Sequence, residues 1–234
     1  LFRMLSIATL GTSQIFDEVL MNRYLPMDVY SILELIKQMK QTGQIPANLA
    51  IWVAANPYSD SVERLEQKIK LGADRILTQP PLLWNPFLAW WHKVQQSSQL
   101  KDRITIGMPN IVSVRSLEFW YLLMGLKSSF SWIPGASLRK EAAKLQQEFI
   151  RHAGQDNFAE AFNRSLLNNI RNLPGFNGLH WMPVTSWTEI ARNEIDAMVI
   201  QLQELMGVKI EYAGNTYETD CQMIVLQSSF SILL

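Results

Sequence analysis

Ala50-Ile51-Trp52-Val53-Ala54-Ala55 is an unbroken apolar run that stops at Asn56-Pro57. A strand with one wet face alternates apolar and polar residues. A strand buried on both faces has no need to alternate, and that pattern belongs to parallel sheets. Proline lacks a backbone donor, so Pro57 marks the end of the ladder. Working outward, residues 73–79 read as a second short strand stopped by Pro80-Pro81, residues 103–108 as a third stopped by Pro109, and residues 178–182 as another stopped by Pro183. Upstream, residues 2–10 are β-prone and apolar and end at Gly11.

The segments between these runs have helical periodicity. Val29, Ile32, Leu33, Ile36 and Met39 recur at intervals of three and four, with Pro26 and Asp28 at the start and Lys37, Lys40 and Gly43 at the end. Val62, Leu65 and Ile69 form the inward stripe of a helix over 61–71 that Gly72 closes. An aromatic-rich helix is expected around 87–95, and others at 115–124, 137–152 and 157–172. Thr188 or Ser186 would cap a further helix, from near Glu189 to about Met206. Strand and helix alternate, which predicts right-handed βαβ units and a parallel sheet. Past residue 207 two β-prone runs flank Ala213-Gly214-Asn215 and read as a hairpin added to that unit.

Composition narrows the function classes. The 234 residues carry 21 Lys+Arg against 21 Asp+Glu, so the chain has no net charge to draw it to a phosphate backbone, and a nucleic-acid partner is not expected. A surface with only 18% charged residues favours self-association, so a homo-oligomer is expected. Cys221 is the single cysteine; it excludes an internal disulfide and suggests a reducing, cytoplasmic setting. No apolar run approaches the ~20 residues of a membrane span. There is no Gly-x-Gly-x-x-Gly, no P-loop lysine motif, no His-Glu-x-x-His and no cysteine pair.

Ligands of parallel sheets and barrels gather at the carboxyl ends of the strands. Asn56, Tyr58, Thr78, Gln79, Met108, Asn110, Trp181 and Thr185 lie there. Val53-Ala54-Ala55-Asn56-Pro57, the stretch from Gly72 to Pro80, Gly107-Met108-Pro109 and Leu179-His180-Trp181-Met182-Pro183 occur in that order. Together they resemble the methylenetetrahydrofolate reductase family, which are flavin-containing TIM barrels. The most specific piece is Lys-x-x-x-Gly-Ala-Asp-x-x-x-Thr-Gln, here Lys68 through Gln79.

The resemblance implies an α/β chain of (β/α)8 TIM-barrel type, incomplete because it supplies about strands 4–8. A partial barrel would occupy residues 1–200, and a helix end with a β-hairpin residues 201–234. It implies FAD as cofactor, NAD(P)H as reductant and a folate-type substrate that accepts hydride from the reduced flavin. Gln79 would be the catalytic amide that orients the pterin, with Trp181 as a second substrate contact. Asn56, Tyr58, Lys68 and Thr78 would bind the cofactor, Lys68 near its phosphate or ribityl portion. Each has a plainer alternative: a strand-terminal Gln bonding to loop backbone, a solvated helical Lys, a capping aromatic. His180, in an apolar run, reads as a hydrogen-bonded core residue. Trp84, Trp90, Trp91, Trp120 and Trp132 read as packing against a barrel or a partner subunit.

The family's fourth strand ends in Gly-Asp, whereas Met4 to Leu10 leads into Gly11-Thr12-Ser13-Gln14, with no carboxylate in place. Half a barrel leaves strand edges unpaired. Three solutions are expected: a fragment of a longer protein, the reading that Leu1 in place of Met favours; a partner chain that completes the barrel; or residues 207–227 folding back onto the sheet. The alternative to a reductase is a catalytically lapsed barrel relative that acts as a binding or assembly module.

Overall fold

The computed structural model describes residues 28–126, 136–155 and 157–182, and the backbone of three strands within 211–226. The element order is α1 (Val29–Gln41), β1 (Trp52–Ala55), α2 (Val62–Lys70), β2 (Arg75–Thr78), α3 (Trp84–Gln95), β3 (Ile104–Pro109), α4 (Val114–Leu123), α5 (Ala136–Arg151), α6 (Phe158–Arg171), β4 (Gly178–Met182), β5 (Glu211–Ala213), β6 (Thr216–Glu218) and β7 (Met223–Leu226). The expected strand at 2–10, the helix from Glu189, Thr185 and Trp132 lie outside the described residues.

The helix boundaries follow local chemistry. Asp28 caps α1 by accepting the Ser31 amide at 2.8 Å, so α1 begins after Asp28 rather than near Pro26. Ser61 caps α2, and Gly72 closes it at φ 107°, a conformation costly for any residue with a Cβ. Helix α3 starts at Trp84, three residues earlier than expected. Pro86 then sits in the first turn, where no amide is missed.

The sheet is mixed. Its strand order is β1-β2-β3-β4-β7-β6-β5, with β1 to β4 in parallel register. The expected hairpin is present as β5 and β6, but the run expected to continue to Leu226 breaks after Glu218. Its remainder is β7, which pairs antiparallel with β6 and parallel with β4. The β4 edge is thus covered by residues folding back from the C-terminal segment, the third of the three expected solutions. Among the described residues, β1 pairs only with β2.

β1 to β4 are laid down side by side in chain order, with no reversal. One face packs against the helices: Val53, Ile76, Ile106 and Leu179 join Leu65, Phe87, Leu117 and Ile170 in one apolar core. The tryptophans of α3 and α4 belong to it as well, since Trp90, Trp91 and Trp120 are buried within the chain. No described helix is long and apolar enough to cross a membrane.

β7 is bonded on both sides, so proline there breaks ladders that no rearrangement restores. Val225→Pro is expected to lower unfolding free energy by at least about 2 kcal/mol in urea denaturation. An unchanged midpoint would mean that β7 does not cover β4 in solution.

Candidate functional site

Alternation along a strand sends successive side chains to opposite faces, and register carries that assignment from strand to strand. Trp52 pairs with Arg75, Leu77 with Thr105, and Gly107 with His180. These residues therefore stand on the face turned away from the helix core. Trp52 is buried yet lies outside the core cluster that holds Val53 and Ala55. This second face carries buried polar atoms without a partner: Arg75 Nη1, Gln79 Oε1, Thr105 Oγ1 and both ring nitrogens of His180. Two other unpartnered donors, the indole nitrogens of Trp120 and Trp181, lie in the helix-side core.

Most of the Lys68–Gln79 string is engaged in holding the fold. Lys68 is 3% exposed, not the solvated lysine of the plainer reading. Its Nζ donates to the Ala54 carbonyl at 2.8 Å and lies 3.5 Å from the Asp60 carboxylate. Burial holds its pKa below the usual lysine value, against the pull of Asp60. Asp60 also accepts the Asn56 amide at 2.8 Å, which fixes the turn after β1. Ala73 is buried, and Asp74 accepts the Ile51 amide at 2.7 Å at the entrance to β1. The Thr78 hydroxyl accepts the Gly107 amide at 3.0 Å, so it sits between strands rather than opening to a cleft.

The other expected site residues divide. Tyr58 is buried; its hydroxyl donates to Pro80 O at 3.3 Å and accepts the Leu83 amide at 2.9 Å, and burial pushes its pKa up. It staples the loop after β1 to the start of α3. Asn56 Oδ1 accepts the Tyr58 amide, while Nδ2 donates to Met124 O at 3.0 Å. Gln79 Nε2 donates to Leu123 O at 3.3 Å. The C-terminal end of α4 thus lies over the carboxyl ends of β1 and β2, where Asn56 and Gln79 share it. Trp181 is 1% exposed and occupies the helix-side core, on the face opposite Gln79. Asn110 bonds to Asn163, and Met108 is a core residue.

One row across the sheet stands out chemically. Gly107 on β3 pairs with His180 on β4, and the register of the Leu77–Thr105 pair, extended two residues, brings Gln79, the residue after β2, level with them. Gln79 is fixed by Leu123, which leaves Oε1 as an acceptor. His180 is 2% exposed, and burial alone lowers its pKa to about 4, so the ring is neutral at pH 7. The hydrogen-bonded core histidine expected from sequence is not what is found: the ring is buried, but neither nitrogen has a partner among the described residues. Arg75 and Thr105 escaped sequence reading altogether. Their only signal was a polar residue inside a short apolar strand, and register was needed to show that they share a face.

A depression among the described residues lies elsewhere. It holds about 400 Å3 between the β1–α2 loop and α3, lined by Tyr58, Ser59, Glu63, Trp90 and Lys93 among others, and is wide open. It contains none of the unpartnered atoms, so chemistry favours the sheet face over this open hollow. No cluster of His, Cys, Asp and Glu among the described residues could hold a metal ion.

No family model matches the chain, and no curated protein does.

Two measurements test this geometry. Asp60→Asn removes the carboxylate beside a buried ammonium and is expected to cost about 1–3 kcal/mol in chemical denaturation. Lys68→Met, which keeps the volume and removes the charge, is expected to cost less. The second concerns His180, whose folded pKa lies below that of the unfolded chain. Between the usual value near 6.5 and about 4 the unfolded state binds more protons, so stability falls as pH drops through that window. The expected loss is on the order of 3 kcal/mol by pH 4, and His180→Leu should flatten this part of the stability–pH curve.

Proposed function

We propose that the chain is the part from about strand 4 to strand 8 of a TIM-barrel-type flavin oxidoreductase, and that it reduces a folate-type substrate in the manner of methylenetetrahydrofolate reductase. The single observation behind this reading is Gln79 Oε1, buried and unpartnered at the carboxyl end of β2. Gln79 closes the string that carries the resemblance, and of the string's two side chains with an unpartnered buried atom, Arg75 and Gln79, it is the one at the carboxyl end of the strand. The consecutive parallel order of β1 to β4 supports a barrel, because a singly wound sheet collects its helices on one face and leaves the other for an interior.

A bound FAD would supply hydride chemistry, accepting hydride from NAD(P)H and passing it to the methylene carbon of the folate. The residues of this chain bind and orient. Leu123 O holds the Gln79 amide, which leaves Oε1 as the atom that would accept from an N–H on a ring edge. A ring bound there would meet the backbone of Gly107 only once the Met182 methyl had moved from above it. The polarity of Gln79 suits a ring edge, but the phosphate tail fits poorly: Lys68 is tied to Ala54 and Asp60, and so is not presented to a phosphate.

That engagement of Lys68, together with the internal bonds of Tyr58 and Thr78, favours a second reading: a barrel relative that keeps the scaffold and serves as a binding or assembly module. One experiment separates the two. The purified chain is mixed with FAD, reduced anaerobically with NADH or NADPH, and then exposed to 5,10-methylenetetrahydrofolate. The reductase reading expects flavin absorbance, bleaching by the nicotinamide and recovery with the folate, with recovery slowed about tenfold or more by Gln79→Ala. FAD uptake without folate-driven recovery would leave the binding module. A colourless protein that takes up no FAD would remove the flavin altogether.

A further inference from the structure

Gln79 and His180 flank Gly107 across the sheet. His180 is among the most buried polar side chains described, and both its nitrogens lack a partner. A buried polar group left unmatched costs on the order of 1–3 kcal/mol, so such groups are rare unless something else satisfies them. A histidine that served packing alone could be replaced by leucine at no loss to the fold.

Geometry says what would satisfy it. His180 and Gln79 lie in one row, two interstrand spacings apart, or roughly 10 Å between backbones. Gly107 stands between them. A Cβ there would collide with the Thr78 carbonyl oxygen and the terminal methyl of Met182, so this position tolerates only glycine. The row therefore has a hydrogen-bonding group at each end and, in the middle, a glycine covered by the Met182 methyl. Met182, a flexible and polarizable side chain, reaches over that gap and can swing aside for an occupant. An amide acceptor at one end and a neutral imidazole at the other, which offers one donor and one acceptor, suit a flat ring system with N–H and C=O groups on opposite edges.

We infer that His180 is a ligand-contacting residue, bonding the far edge of a planar heteroaromatic ring of pterin or flavin type that rests on Gly107 with its near edge on Gln79. The choice of ring class rests on the function proposed above; the place and polarity of the contact do not.

The test uses the 234-residue chain and two probes, FAD and folic acid, titrated separately against the wild type, His180→Leu and His180→Gln, with thermal melting of each. Expected is a loss of affinity of about tenfold or more in His180→Leu for the ring that binds. His180→Gln, which restores a donor and an acceptor, should stay within about threefold. The melting temperature supplies the readout that a structural role would move in the other direction. His180→Leu removes two unmatched nitrogens and should melt no lower than the wild type. Unchanged affinity in His180→Leu would overturn the inference and leave the reductase reading standing. Lower melting in both variants would overturn it too, since the ring would then be supporting the fold. If the wild type binds folic acid but not FAD, the flavin reading fails, and the His180 contact stands provided His180→Leu weakens folic acid. Binding of neither ring overturns both.

Discussion

Side chains on a buried parallel strand cannot choose their side. The two-residue period decides it, and the ladder transmits that decision from strand to strand. In this protein the rest follows from that constraint. One face of β1 to β4 is given over to the apolar core under the helices. Every polar residue of opposite parity is then delivered to the other face, whether or not a partner waits there. Arg75, Thr105 and His180 are brought together by arithmetic rather than by local preference.

The turn after β1 shows how much of a recognisable string serves the scaffold. Lys68, Asp74 and Thr78 each close a backbone valence of a neighbouring strand: the carbonyl of Ala54, the amide of Ile51 and the amide of Gly107. Asp60 ties the lysine to the loop that carries Asn56. A sequence pattern of this kind can survive for reasons of folding alone. An unmatched atom speaks of a ligand only where ligands gather, at a strand's carboxyl end, which is why Gln79 carries more weight than Arg75 at the start of β2.

Much of the architecture was legible because its signals are local. Gly178–Met182 has the limits that an apolar run closed by Pro183 suggests, and the helices of 114–171 lie within a residue of their periodic stripes. Errors arose where one residue has two physical meanings. Pro86 fits a first helical turn as well as it breaks a later one, and Pro109 ends β3 as a member rather than as a barrier. The polar cluster Glu218-Thr219-Asp220 is a turn signal inside what was read as one long run, and it separates β6 from β7. The candidate site was half visible. Gln79 stands beside a proline at a strand end, whereas the letters around His180 are those of any core strand. Its meaning depends on which strand lies alongside, and that is a non-local fact.

The position of β7 has a consequence for synthesis. Translation delivers β4 well before residues 223–226, and at about 5–20 residues per second the interval lasts a few seconds. Throughout it, the hydrogen-bonding edge of a largely apolar strand lacks the neighbour that β7 gives it in the finished sheet. A nascent chain in that state is a template for intermolecular β-pairing. The yield of this protein in a cell should therefore depend on chaperone supply and on elongation speed through the segment between β4 and β7 more than on the stability of the finished sheet.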